Sequence, residues 1–438
     1  MIENSKIGDK VKLLTKDARE FLGTILPDSD TKKIVLKLAS GYNIGLLRSN
    51  IKSIKVIGQQ QKKAEVKKEI QKPSKILPAI SIIHTGGTIS SSVDYETGAV
   101  VAKFTPEELI SMFPELKGIC NINSFLISNM FSEDMRFSHY NILANAIKKE
   151  AEKGVAGVII THGTDTITYT SAALAFILEG LNIPVLLVGA QRSSDRGSSD
   201  AFVNLLCAVH YITKSNFCDV GICMHEDSSD KSCLILSATK TKKFHTSRRD
   251  AFRAVNSRPL ARVSIDGSYE NFSAFATREE RKNSKIKILP IKEKVKVGIL
   301  KSHPNLSAME VKNFSKFDGL ILEGTGMGHL PINKIDNQTA ENIKVYSEIK
   351  SLAKKIPVFM TSQCINGSVN MNVYSTGRKL KEAGVSGDYN DMLAETAFIK
   401  MAWLLSNYPK KEVGKLMMKN MHGEISSRSH KDTFPHDL

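Results

Sequence analysis

The chain has no cysteine motif, no long apolar run and no apolar N-terminus. Its six cysteines show no CxxC spacing, so a metal or disulfide framework is not expected, and free thiols in a reducing cytoplasm are the simplest interpretation. No apolar run approaches the roughly 18 residues that a membrane-spanning helix needs. The first ten residues, MIENSKIGDK, lack the apolar core of a signal peptide. These absences favour a cytoplasmic globular protein.

Acidic residues are scarce relative to basic ones. The 438 residues hold 61 Lys and Arg against 45 Asp and Glu, a formal net charge of +16. The imbalance is strongest in residues 1–76, which hold 17 basic and 8 acidic side chains. Such a balance favours an anionic partner, and RNA rather than a membrane because no amphipathic anchor is evident. The alternative is a lysine-rich surface that serves solubility alone.

Changes in pattern along the chain predict its domains. Short alternating or β-branched runs, broken by Gly, Asp and Pro, indicate a small N-terminal β-barrel of about five strands. A polar, lysine-rich linker follows, and then strands alternate with helices, which predicts an α/β fold of parallel sheets flanked by helices. The predicted boundaries are 1–58 for the barrel, 59–75 for the linker, 76–262 for a large domain, 263–295 for a β-rich or connecting segment, 296–409 for a smaller domain and 410–438 for a tail.

Three polar clusters follow predicted strands of the large domain. They are HTGGTIS (84–90), THGTDT (161–166) and VGAQRSSDRGSSD (188–200). In an open parallel sheet, ligands bind beyond the carboxyl ends of the strands. The fold would therefore bring these clusters to one edge, although they lie far apart in the sequence.

Threonines in two of these clusters suggest nucleophilic chemistry. A threonine hydroxyl is a poor nucleophile at neutral pH and needs a base or a neighbouring cation. Thr88 and Thr164 each lie beside glycines, which let the backbone approach a substrate and leave N–H groups free for an oxyanion. Asp165 could hold a lysine that tunes one of the hydroxyls or relays its proton.

Each cluster alone has a simpler interpretation. Gly-Gly-Thr after a strand could be a tight turn or an anion-binding nest, although a nucleotide site is disfavoured because the lysine and length of a phosphate loop are missing. Thr164 or Asp165 could cap a helix that starts near Thr166. His84 and His162 could suggest a metal, but no nearby Cys or acidic residue completes a ligand set, so no metal is expected. The two threonine loops together favour catalysis.

The two threonine loops resemble the signatures of the bacterial-type L-asparaginases. The matching segments are IIHTGGTIS (82–90) and ITHGTDT (160–166), and the likeness extends over about residues 76–406. Supporting segments are SEDM (132–135), VGAQR (188–192), KFHTSRRDAFRAVN (243–256), GTGMGHLP (324–331) and TSQCINGSVNMNVYSTG (361–377). This resemblance implies a two-domain asparaginase-like core.

The same resemblance implies the catalytic residues. Thr88 would be the primary nucleophile and Thr164 the second catalytic threonine. Asp165 would pair with a lysine, for which Lys240, Lys242 and Lys243 are the candidates. Lys243 is chosen because the family's lysine precedes by nine residues the Phe of Asp-Ala-Phe, here Phe252.

The resemblance also implies substrate contacts. Tyr95 is similar to the mobile-loop tyrosine that closes over the substrate. Ser132 would hold the α-carboxylate and Asp165 the α-amino group, with Glu133, which departs from the family's Gln, as another amino-end contact. Backbone N–H groups near Gly87 and Thr164 would form the oxyanion hole. Gly163 would give the backbone access to the substrate.

Two further segments narrow the resemblance. KIVLKLASGYNIGLL (33–47) and HTSRRDAFRAVN (245–256) are similar to segments of the D subunits of archaeal glutamyl-tRNA(Gln) amidotransferases. This resemblance implies a glutaminase that supplies ammonia to a partner E subunit of the GatE type. That partner would use ATP and Mg²⁺ to convert Glu-tRNA(Gln) to Gln-tRNA(Gln). No cofactor is expected in this chain.

Several alternatives stay open at this stage. The chain could be a stand-alone cytosolic L-asparaginase with an extra N-terminal domain, or a catalytically silent RNA-binding scaffold. The family likeness implies a homodimer, here within a heterotetramer, with the tRNA bound mainly by the partner. Four arginines could contact RNA, pair with acidic neighbours or line the partner interface. They are Arg248, Arg249, Arg253 and Arg258.

Overall fold

A computed structural model describes most of the chain. The described residues are 5–27, 29–39, 42–58, 74–87, 91–93, 100–102, 114–192 and 197–434. Thr88, Tyr95 and most of the predicted linker lie outside these residues. Within the described part, no helix is long and apolar enough to span a bilayer.

The N-terminal unit is a five-stranded antiparallel sheet. Its strands are β1 Lys10–Thr15, β2 Glu20–Ile25, β3 Lys33–Leu38, β4 Asn43–Leu47 and β5 Ile51–Gly58, in the order β4-β3-β2-β1-β5. Alternate residues such as Val11, Leu13 and Leu36 are almost fully buried in one apolar cluster. The small β unit predicted for this region is therefore present.

The remaining strands and helices of the described residues form the rest of the chain. The strands are β6 Ala79–His84, β7 Ser91–Val93, β8 Val100–Ala102, β9 Asn121–Leu126, β10 Gly157–Thr161, β11 Leu178–Glu179, β12 Val185–Val188, β13 Val220–His225, β14 Ser232–Ser237, β15 Thr241–Lys243, β16 Phe252–Ala254, β17 Ala261–Ser264, β18 Tyr269–Asn271, β19 Lys287–Ile288, β20 Val297–Lys301, β21 Gly319–Gly324 and β22 Val358–Ser362. The helices are α1 Phe137–Glu152, α2 Ile167–Ile177, α3 Ala201–Lys214, α4 Arg278–Arg281, α5 Ala308–Lys312, α6 Glu341–Ala353, α7 Ser375–Glu382, α8 Ala394–Asn407 and α9 Lys410–Met417.

The large domain is built on an eight-stranded sheet in the order β18-β17-β14-β13-β12-β10-β6-β9. Five neighbouring strands of this sheet, β9, β6, β10, β12 and β13, are parallel, as the βαβ pattern predicts. All five residues of β10 are buried because apolar clusters lie on both faces of the sheet. The polar loops after β6, β10 and β12 therefore meet at one edge.

The other three strands of this sheet are antiparallel. β14 pairs with β13, β17 pairs with β14, and β18 pairs with β17. The large sheet thus extends to Asn271, into the segment predicted as β-rich or connecting, and β19 adds a short pairing with β11.

The smaller domain has a parallel three-stranded sheet, β20-β21-β22, with its own apolar core. Helix α8 packs against both α2 and β21. Ile399, Met401 and Trp403 of α8 are buried in an apolar cluster that contains Val158 of the large sheet and Ile321 of the small sheet. The helix therefore fixes the two domains against each other.

Candidate active site

The loop between β10 and α2 carries the second threonine signature. Thr166 occupies the N-cap position of α2, but its side chain makes no capping bond. Its hydroxyl instead donates to the carbonyl of Ser132 at 2.5 Å. The side chains of Thr164 and Asp165 are engaged by a lysine, so the helix-cap interpretation does not describe this loop.

Lys243 reaches both of these residues. Its Nζ atom lies 2.8 Å from Thr164 Oγ1 and 2.9 Å from Asp165 Oδ1. The threonine is buried, whereas the Asp165 side chain is 69% exposed. A protonated lysine here stabilises negative charge on the threonine oxygen, and a neutral one can accept its proton. The exposed carboxylate orients the ammonium group and keeps oxygen available for a ligand.

The two neighbouring lysines are used elsewhere. Lys240 Nζ donates to Asp391 at 2.6 Å, and Lys242 Nζ donates to Glu395 at 2.5 Å. Of the three candidate lysines, only Lys243 is hydrogen-bonded to Thr164. The antiparallel pairing of Lys243 with Phe252 in the β15–β16 hairpin holds its backbone in place.

Glycines allow the strand-end loops to pack without side chains between them. Gly87 has φ +82°, and a Cβ atom there would lie 2.6 Å from the Gly163 nitrogen. A Cβ atom on Gly163 would lie 2.8 Å from the Cβ of Ser132. Ser132 is buried at the start of a short 3-10 turn, and Glu133 next to it is exposed. The predicted contacts Gly87, Gly163 and Ser132 thus come together beside Thr164.

Two buried histidines support these loops. His84 is bonded to Thr161 Oγ1 at 2.8 Å and to Ser124 Oγ at 2.7 Å. Burial lowers the pKa of His84 to about 4, and it lowers that of His162 to about 4 against the opposing bond to the Gly163 carbonyl. Both rings are therefore neutral at pH 7, and their nitrogens hold protein groups. Over the described ranges, no group of three His, Cys, Asp or Glu side chains could bind a metal.

The four arginines considered for RNA contact each bind an acidic side chain of the same chain. The pairs are Arg248–Asp250, Arg249–Asp230, Arg253–Asp250 and Arg258–Asp432. The hydrogen bond from Arg248 and the charge of Arg253 hold the pKa of Asp250 well below its ordinary value. Pairing with acidic side chains of the same chain, one of the alternatives for these residues, is found for all four.

The chain matches three family models in order along its length. Residues 5–57 match the GatD N-terminal domain, residues 79–274 the N-terminal asparaginase domain and residues 296–418 the glutaminase/asparaginase C-terminal domain. The chain is 43% identical to the D subunit of the glutamyl-tRNA(Gln) amidotransferase of Pyrococcus furiosus, over 98% of this chain and 97% of that one. It is 40% identical to the D subunit of the same enzyme from Methanococcus maripaludis, over 96% and 98% of the two chains.

Solved structures resemble the fold over a smaller share of the chain. A thermostable L-asparaginase from Thermococcus kodakarensis is similar with a TM-score of 0.70 and 26% identity, covering 80% of this chain and 100% of that one. L-asparaginase I from Vibrio cholerae is similar with a TM-score of 0.68 and 27% identity, covering 80% and 99%. The amidotransferase subunits therefore match nearly the whole chain, whereas these asparaginases match only four fifths of it.

Proposed function

This chain belongs to the family of glutamyl-tRNA(Gln) amidotransferase D subunits, and we propose from that premise that it hydrolyses glutamine to supply ammonia for converting Glu-tRNA(Gln) to Gln-tRNA(Gln). The observation that supports amide hydrolysis most directly is the contact of Lys243 with both Thr164 and Asp165, where the strand-end loops meet. The match over 98% of the chain supports this function over that of a stand-alone asparaginase.

The proposed reaction uses a threonine ester. The hydroxyl of Thr88 attacks the side-chain amide carbon of glutamine, and the Thr164–Lys243–Asp165 group takes and returns the proton. Backbone N–H groups near Gly87 and Thr164 stabilise the tetrahedral oxyanion. Ammonia leaves once its nitrogen is protonated. Water then attacks the ester, which releases glutamate and restores the threonine hydroxyl.

The substrate's main-chain end has complementary groups nearby. The exposed Asp165 carboxylate and Glu133 suit its α-amino group. The buried Ser132 hydroxyl suits its α-carboxylate. Tyr95 would close over the bound substrate.

The proposed assembly places ATP chemistry in another chain. A GatE-type subunit would bind ATP and Mg²⁺ and hold most of the tRNA, and two copies of this chain would form a homodimer within a heterotetramer in the cytoplasm. Uncoupled glutamine hydrolysis would waste ammonia, so glutaminase activity would depend on that partner.

Ammonia release from glutamine and from asparagine tests the function. Each amide is supplied to the isolated chain and to the complex with its E subunit, with and without Glu-tRNA(Gln). The expected result is glutamine hydrolysis that rises in the complex and is abolished by Thr88→Val. A strong preference of the isolated chain for asparagine would support the asparaginase alternative. Unchanged glutamine-dependent amidation by Thr88→Val would support a silent scaffold.

A further inference from the structure

A line of buried hydrogen bonds leads from the threonine loop into the core. His162 Nδ1 lies 2.7 Å from the carbonyl oxygen of Gly163, and His162 Nε2 lies 2.8 Å from Thr170 Oγ1. His162 and Thr170 are 1% and 0% exposed. The line connects α2 to the end of β10.

The chemistry of the groups fixes the direction of these bonds. A backbone carbonyl can only accept, so the neutral His162 ring carries its proton on Nδ1 and donates it to Gly163. Nε2 then has only a lone pair, and the Thr170 hydroxyl must donate to it. The Thr170 oxygen also lies 3.5 Å from the Thr166 carbonyl, a longer contact than its 2.8 Å bond to the ring. The Thr170 hydroxyl is therefore the donor that holds Nε2.

The bond to Gly163 acts on the next residue through the peptide plane. Because a trans peptide holds its C=O and N–H in opposite directions, fixing the Gly163 oxygen also fixes the N–H of Thr164. On the other side of the loop, Thr166 is tied to the Ser132 carbonyl, and Gly163 packs against Ser132. The Gly163–Thr164 peptide is thus held on both flanks, with its N–H directed away from the histidine.

We propose that His162, held by Thr170, is a positioning residue that orients the Thr164 N–H toward the oxyanion and the Thr164 hydroxyl toward Lys243. This inference rests on the proposed amide hydrolysis. A misaligned N–H weakens contact with the transition state more than with the ground state, so kcat should fall while KM changes little.

Two isosteres of His162 separate this role from simple filling of space. The side-chain nitrogen of Asn occupies the place of Nδ1, whereas the Gln amide reaches the place of Nε2. In the complex with the E subunit, His162→Asn should keep glutamine kcat within about threefold of wild type, and His162→Gln should lower it roughly 10- to 100-fold. The reverse ranking would overturn the inference.

Neighbouring hydroxyls of α2 provide a matched pair of variants. Thr170→Val should lower kcat about tenfold, and Thr170→Ser, which retains the donor, should restore most of it. Ser171 is equally buried, but its hydroxyl donates to the Ala238 carbonyl at 2.8 Å, away from the threonine loop. Ser171→Ala should therefore leave kcat within about twofold of wild type. Equal losses of kcat in Thr170→Val and Ser171→Ala would show that the hydrogen bonds of His162 and Thr170 have only a structural role.

Failure of this inference differs from failure of the proposed function. If wild type hydrolyses asparagine but not glutamine, the function is wrong, and the ranking of the variants is read on asparagine instead. If wild type hydrolyses glutamine but the His162 and Thr170 variants show no such ranking, only the positioning role is wrong. If wild type hydrolyses neither amide, both are wrong.

Discussion

Lys243 is the polar link between a buried hydroxyl and an exposed carboxylate. It touches Thr164 on one side and Asp165 on the other, while its neighbour Lys242 is bound to Glu395. A methionine keeps the apolar part of the side chain but removes the ammonium group, with its charge and its donors. The two adjacent lysines therefore allow a controlled comparison.

We expect Lys243→Met to lower glutamine kcat by about 10²-fold or more, because proton transfer and alkoxide stabilisation are both lost. Lys242→Met removes an equal charge outside the contact with Thr164 and should change kcat less than about fivefold. Steady-state ammonia release by the two variants in the complex measures the difference. Similar losses in both would show that the loss is not specific to Lys243.

The low pKa of His162 predicts an acid-sensitive fold. Its pKa is lowered by burial from 6.5 to about 4, so below pH 6.5 the unfolded chain binds a proton that the folded chain does not. Stability should fall as pH decreases from 6.5 toward 4, by about 3 kcal/mol for this residue. Urea unfolding of wild type and His162→Asn at pH 7 and pH 4.5 tests this. The variant should lose less stability than wild type, and equal losses would contradict the assignment.

Residue roles could be predicted where the signature is local. The family resemblance implies Lys243 among three lysines through its distance to Phe252, and the structure brings that side chain to Thr164. The role of His162 was not predictable, because its partner Thr170 lies on α2, and the local sequence does not define how that helix packs against the loop. The pairing of Arg258 with Asp432, 174 residues away, was likewise open until the fold placed them together.

At the scale of elements, a buried ion pair fastens the C-terminal segment to α8. Lys400 and Glu424 are 0% exposed and lie 2.6 Å apart. Lys400 also donates to the carbonyls of Met417 and Lys419, and Glu424 accepts from the backbone N–H of His422. This arrangement satisfies the polar groups at the end of α9.

Lys400→Met should destabilise the protein by roughly 3–5 kcal/mol, because it leaves the Glu424 carboxylate buried without its partner. Urea unfolding at pH 7 measures the loss. Lys410→Met, at an exposed position of α9, provides the control and should change stability by less than about 0.5 kcal/mol. A loss below about 1 kcal/mol for Lys400→Met would contradict the account.

Elements with strong patterns were the predictable ones. β10 is a continuous apolar run, and α1 repeats its apolar residues at helical spacing, so both follow from the sequence. The hairpin of β17 and β18 does not, because all three residues of β18 are exposed. Its place in the sheet is decided by pairing with β14 rather than by its own pattern.

At the scale of the whole molecule, two resemblances overlap over different lengths. The asparaginase fold accounts for four fifths of the chain, and the N-terminal sheet accounts for most of what remains. The catalytic loops alone do not distinguish glutamine from asparagine. The N-terminal unit favours the amidotransferase family, because it matches the GatD N-terminal domain model.

The central claim is that this site feeds ammonia to a separate amidating centre. It is tested most directly by measuring Gln-tRNA(Gln) formation by the complex of Lys243→Met with its E subunit, supplied with ATP and either glutamine or ammonium chloride. We expect almost no product with glutamine and a wild-type rate with ammonium chloride, since only the ammonia source is removed. Wild-type amidation from glutamine, or no rescue by ammonium chloride, would contradict the account.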